Sequence, residues 1–131
     1  MQNYIIVWIH RIHKTAIEVS KTDEISQKRL CIQKIVAITD IILDILQYPK
    51  SGHPLLKRWY SMRHKEMMIV VNWILEIQEY ALTAYENLCE LNIKQYSANR
   101  NIAKIEACCE IILETLDYSS NQENIVKEKN T

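Results

Sequence analysis

Apolar residues recur every three to four positions along most of this chain, and the pattern is clearly broken at only one point. Ile5, Trp8, Ile9, Ile12, Ala16 and Val19 share one stripe, with His10, Arg11 and Lys14 toward the other side. That spacing predicts an amphipathic helix over about residues 3–20. Thr22, Asp23 and Glu24 supply cap-type residues and favourable negative charge for a new N-terminus, so a second helix is expected from there to about Tyr48, ahead of Pro49. Its consistently solvated stripe is Gln33, Ala37, Asp40, Asp44 and Gln47, and Ile, Val and Leu fill most of the remaining circumference. Such a helix is expected to be the most buried element, or to face both the core and a second subunit.

The break is PKSGHP, residues 49–54, which should connect the second and third helices. Pro54 suits a first helical turn. The third helix then extends from about Leu55 to Leu91, about 55 Å at 1.5 Å per residue. Met67, Val70, Val71, Ile74, Leu75, Ala81, Leu82, Tyr85 and Leu88 fall on its apolar face, opposite Asn72, Glu76, Glu79, Thr83, Glu86 and Glu90. Ile69, Trp73 and Tyr80 cluster at the edge of that face and are the candidate partner interface. NIKQYS, residues 92–97, is a short link with Asn92 or Ser97 as candidate caps. The fourth helix follows to Leu116, burying Ile102, Ile105, Cys109, Ile112 and Leu116 and turning Glu106, Glu110 and Glu114 to water. SSNQENIVKEKNT has no sustained apolar stripe and is expected to be a flexible tail. The fold class read from this pattern is all-α: an up-down-up-down four-helix bundle, with a long third helix and a disordered C-terminal tail. One domain covers residues 1–118, and the polar tail covers 119–131.

Composition agrees with an all-helical reading. One glycine and two prolines in 131 residues leave little of the punctuation that sheets and tight turns use. The length suits a single domain with a real core. No apolar run approaches the roughly 20 residues of a membrane helix, because Asp40 and Asp44 interrupt IVAITDIILDIL and His10 stops IIVWI. The opening MQNYIIVWIHR does not read as a secretory leader. A cytoplasmic protein with no membrane partner is the expectation. Cys31, Cys89, Cys108 and Cys109 form no C-x-x-C pair, so neither a zinc site nor a disulfide framework is expected.

Charge changes the picture more than composition does. The chain is neutral overall, yet residues 1–71 hold 11 Lys or Arg against 6 Asp or Glu, and residues 72–131 hold 5 against 10. Such a dipole suits an anionic partner on the basic half, head-to-tail association between copies, or mutual neutralisation at the surface of one bundle.

The stretch HPLLKRWYSMRH, His53 to His64, concentrates the candidate chemistry. Lys50, Lys57, Arg58, Arg63 and Lys65 can neutralise phosphates, and the interleaved Trp59 and Tyr60 offer rings for base stacking, so RNA or another single-stranded nucleic acid is a candidate partner. Arg11, Lys14, Lys28, Arg29 and Lys34 would widen that patch if the helices align. Equally, Trp59 and Tyr60 can serve as core anchors while the charges solvate the helix. His10 and His13 lie one turn apart with no acidic residue on their face, so no metal site is expected there and no cofactor is implied.

Arg58 through His64 resembles the R-x(4–6)-H signature of the HEPN ribonuclease superfamily, which implies metal-independent RNA cleavage by Arg58 and His64 at a dimer interface. On a continuous helix, six residues separate those two side chains by about 120°. They converge only if the helix starts late or breaks between them, and a ribonuclease is therefore the alternative reading. RNIAKIE, from Arg100, is similar to a second version of that motif but has no histidine.

The whole layout from residue 3 to about 117 resembles the four-helix-bundle family of ribosomal intervening-sequence proteins and the accessory variability determinant of diversity-generating retroelements. Val7-Trp8 in the first helix, PKSG before a long third helix, and NIKQY opening a last helix with the spacing of Ile102, Ile105, Cys109 and Ile112 carry the resemblance. It implies a non-enzymatic homo-oligomeric accessory protein whose partner is a protein such as a reverse transcriptase, or a ribonucleoprotein, held through basic surface.

Overall fold

The computed structural model describes the backbone of residues 2–46, 48 and 65–129, and the side chains of residues 4–46, 48 and 67–116. Among the described residues there are four helices and no strand: α1 (Gln2–Lys21), α2 (Ile25–Ile45), α3 (Lys65–Cys89) and α4 (Gln95–Lys129). Each helix packs on the next in sequence and α4 returns to pack on α1, closing a ring of four. The cross-links show that neighbours are antiparallel. Gln33 and Asp40 of α2 meet Tyr85 and Gln78 of α3, Asn87 of α3 meets Asn101 of α4, and Ser20 and His13 of α1 meet Glu106 and Glu110 of α4. The expected up-down-up-down bundle is the fold.

Helix ends follow local chemistry. Glu24 is the extended N-cap of α2, and its N–H donates to Thr22 Oγ1 at 3.3 Å while its carbonyl accepts from Lys28 N. Neither Asn92 nor Ser97 caps α4. That helix begins at Gln95, and the Lys94 carbonyl accepts its first turn's Ala98 N–H. The α4 backbone is helical to Lys129, and Leu116 is the last of its described side chains to be buried. The polar segment expected as a tail starts three residues beyond that contact.

The chain has no phenylalanine, and its core is built from Ile, Leu and Val with small residues between them. Ile5, Ile9 and Ile12 of α1 meet Ile32, Ile35 and Ile42 of α2, Ile74 and Ile77 of α3, and Ile102, Ile105 and Ile112 of α4. Ala16, Ala81, Ala84, Ala98, Cys108 and Cys109 are buried among them and let the helix axes approach. Each fully buried Ile contributes about 1.5–3 kcal/mol over an exposed one.

Two faces differ from the sequence pattern. On α3 the buried face is rotated toward Ile77 and Ala84, both fully buried, and Leu82, expected inside, is 50% exposed. α2 is less enclosed than its composition suggests, with Leu30 and Ile41 exposed, and it buries two polar residues, Lys28 and Thr39. No helix among the described residues is long and apolar enough to cross a membrane.

Candidate functional site

The basic and aromatic cluster Lys50, Lys57, Arg58, Trp59, Tyr60 and Arg63 lies outside the described residues, as does His64 and with it the Arg58–His64 pair. Lys65 opens α3, and its side chain is also outside the described set. Of the three expected interface residues, Ile69 is 44% exposed, while Trp73 and Tyr80 are half-buried against the core. The Tyr80 ring has Lys104 Nζ 5.3 Å from its centre. Burial, with Glu76 next in effect, raises the phenol's pKa above its ordinary value.

The residues expected to widen the basic patch divide. Arg11, Lys14 and Lys34 align along a groove of about 380 Å³ between α1 and α2, whereas Lys28 turns inward and donates from Nζ to Asn99 Oδ1 at 3.0 Å. Lys28 is therefore no part of a surface patch. Arg29 is half-buried, and its buried Nε has no hydrogen-bond partner among the described residues. Helical spacing assembles the groove: Trp8, Arg11, Thr15 and Glu18 follow one another at three- and four-residue intervals on α1, facing Lys34, Ala37 and Ile38 on antiparallel α2.

Local contacts set the chemistry of this groove. The Arg11 guanidinium sits 4.6 Å from the centre of the Trp8 ring, an arrangement that holds the cation over the groove and covers the ring. Thr15 Oγ1 donates to the Arg11 carbonyl at 2.8 Å, so its proton is committed to the backbone. Ala37, with only a methyl, keeps the groove open between the cations. Among the described residues, Glu18 is the single carboxylate lining it, against three cations.

The remaining groups are structural in their settings. His13 Nε2 lies 3.6 Å from Glu110 Oε1 across the α1–α4 seam, and Ser20 Oγ lies 3.1 Å from Glu106 Oε1. Two of the fourth helix's glutamates thus serve the helix interface. Burial pushes the Cys108 thiol up to about 11 and the Cys109 thiol up to about 12, so both are protonated at neutral pH and neither is a ready nucleophile. No group of three or more His, Cys, Asp or Glu among the described residues is placed to hold a metal ion.

The outer face of α3 is the electrostatic counterpart of the groove. From Met67 to Cys89 that helix has no Lys or Arg, and Glu76, Glu79 and Glu86 are all exposed. Because α1 and α2 form one side of the ring and α3 lies across from α1, basic groove and acidic ridge point away from each other. Compared with family models, curated proteins and solved structures, the chain matches none of them.

Sequence reading places Trp8 on the buried stripe and so misses it as a groove residue. The available signal is Arg11 one turn later, at the spacing that stacks a guanidinium on a ring.

Proposed function

We propose that this protein is a non-enzymatic, oligomeric helical-bundle adaptor that binds a protein or ribonucleoprotein partner. The observation that supports the reading most directly is the separation of charge: a basic groove with an aromatic edge on the α1–α2 side and an acidic ridge on α3. One small bundle so arranged presents two chemically different surfaces, which is what an adaptor requires. Basic surface contributed by Lys50, Lys57, Arg58, Arg63 and Lys65 is the proposed route to RNA.

The test is a titration of the purified full chain with a single-stranded RNA oligonucleotide at two salt concentrations, paired with affinity capture of its cellular partner. Binding that weakens steeply with salt, or recovery of one defined protein or ribonucleoprotein, supports the reading. Absence of both at low salt overturns it. RNA cleavage that disappears in a folded His64→Ala variant overturns the non-enzymatic part.

A further inference from the structure

We infer that the basic groove between α1 and α2 receives the acidic outer ridge of α3 from a second copy of this chain, an inference that rests on the adaptor reading above. The charges are complementary in sign: Arg11, Lys14 and Lys34 outnumber Glu18 in the groove, and Glu76, Glu79 and Glu86 stand on the ridge. Glu79 and Glu86 are seven residues apart, two turns of helix, so they lie on one line along the outside of α3. Shape matches as well, since helices associate by seating a ridge of side chains in a groove, and Ala37 leaves this groove open.

Apolar residues around both surfaces favour a protein occupant over nucleic acid. Tyr4, 69% exposed, and Val7 extend the α1 wall by helical phase, and Leu30 and Ile41 extend the α2 wall at four residues before and seven after Lys34. Leu82 and Ile69 are the exposed apolar residues flanking the ridge. Arg with Trp and Tyr beside aliphatic side chains is the composition of a protein interface. A single-stranded nucleic acid instead needs free aromatic faces for stacking, and Arg11 covers the ring of Trp8.

Groove and ridge lie on different faces, so no copy can satisfy its own pair and the contact is heterologous. Its screening by salt is therefore diagnostic.

Sedimentation velocity of the full chain over a concentration series tests this. Raising salt from about 0.1 M to about 1 M shortens the Debye length from roughly 10 Å to 3 Å and should weaken self-association on the order of tenfold. Lys14→Glu with Lys34→Glu, and separately Glu79→Lys with Glu86→Lys, should each sediment as monomers at concentrations where the parent associates. All four positions are exposed, and unchanged thermal unfolding shows that the variants remain folded. An equimolar mixture of the two variants should recover association, because each supplies the charge the other needs. A parent that stays monomeric throughout, association that survives both reversals, or a mixture that fails to recover overturns the inference. So does loss of RNA binding, with no change in mass, on reversing Lys14 and Lys34, which would assign the groove to RNA. A monomeric parent that still binds RNA or a ribonucleoprotein overturns this inference alone. Charge-swapped assembly in a chain that binds neither overturns the adaptor reading alone.

Discussion

Lys28, 3% exposed near the start of α2, donates from Nζ to Oδ1 of Asn99 at 3.0 Å and so ties α2 to α4 across the diagonal of the bundle. The position is electrostatically poor for a cation, because the first turn of a helix carries the positive end of its dipole. Asn99, itself exposed, offsets part of that cost by supplying an acceptor to the buried lysine. Asn99→Leu should therefore destabilise the fold by about 1–3 kcal/mol, since it strands the ammonium. Lys28→Met keeps the stem, removes the charge, and should change stability by less than about 1 kcal/mol in either direction. Urea midpoints at unchanged slope separate the two outcomes.

Ile77, which the α3 pattern leaves unassigned, is fully buried, whereas Leu82, which the pattern places inside, is half exposed. Ile77→Ala should cost about 2–5 kcal/mol, because it opens a cavity in a core already filled by isoleucines. Leu82→Ala should stay within about 0.5 kcal/mol of the parent. Thermal unfolding reads both, and equal losses at the two positions would contradict the assigned burial.

The cysteines should react in two classes. Cys89 is exposed, while Cys31, Cys108 and Cys109 are buried, so a thiol reagent near pH 8 should label one cysteine quickly and the other three only after denaturation. Alkali should also destabilise the fold. Cys108 and Cys109 ionise from an ordinary value of 9.0 when unfolded but only at about 11 and about 12 when folded. The unfolded chain therefore loses protons first, and stability that is fully present below pH 9 falls as pH rises toward those folded values. Urea midpoints measured from pH 8 to pH 11 should decline, and Cys109→Ala should flatten the decline.

Gln78 bridges α3 to two groups on α2, donating to Asp40 Oδ1 at 2.7 Å and to Thr39 Oγ1 at 3.0 Å. Thr39 keeps its own donation to the Val36 carbonyl at 2.6 Å when Gln78 is removed. Gln78→Leu should accordingly cost only about 0.5–1.5 kcal/mol. A double-mutant cycle with Asp40→Ala measures the part carried by that one bond.

Much of this protein is readable from its residues, and the reason lies in the helical period. The stripe Ile5, Ile9, Ile12, Ala16 and Val19 identifies the buried face of α1 directly, because all five positions are enclosed. α3 is harder, since Ile, Val and Leu occupy more than half of its circumference and a local pattern cannot say which part of a broad apolar face its neighbours cover. Only the positions of α2 and α4 decide that Ile77 is inside and Leu82 outside. Lys28 is illegible for a related reason. Its acceptor, Asn99, is 71 residues away in sequence, and the pair exists only once the diagonal is closed.

The charge dipole divides the same way. That Lys and Arg predominate in residues 1–71 and Asp and Glu in residues 72–131 is a property of the chain order alone. Whether those charges neutralise one another or stand apart depends on which helices are neighbours. Closing the ring as α1–α2–α3–α4 puts Arg11, Lys14 and Lys34 into one groove and leaves Glu79 and Glu86 on a face turned away from it. Helical period is a short-range property and can be read along the chain, whereas the meeting of two surfaces is set by packing at long range, which exists only in the folded bundle.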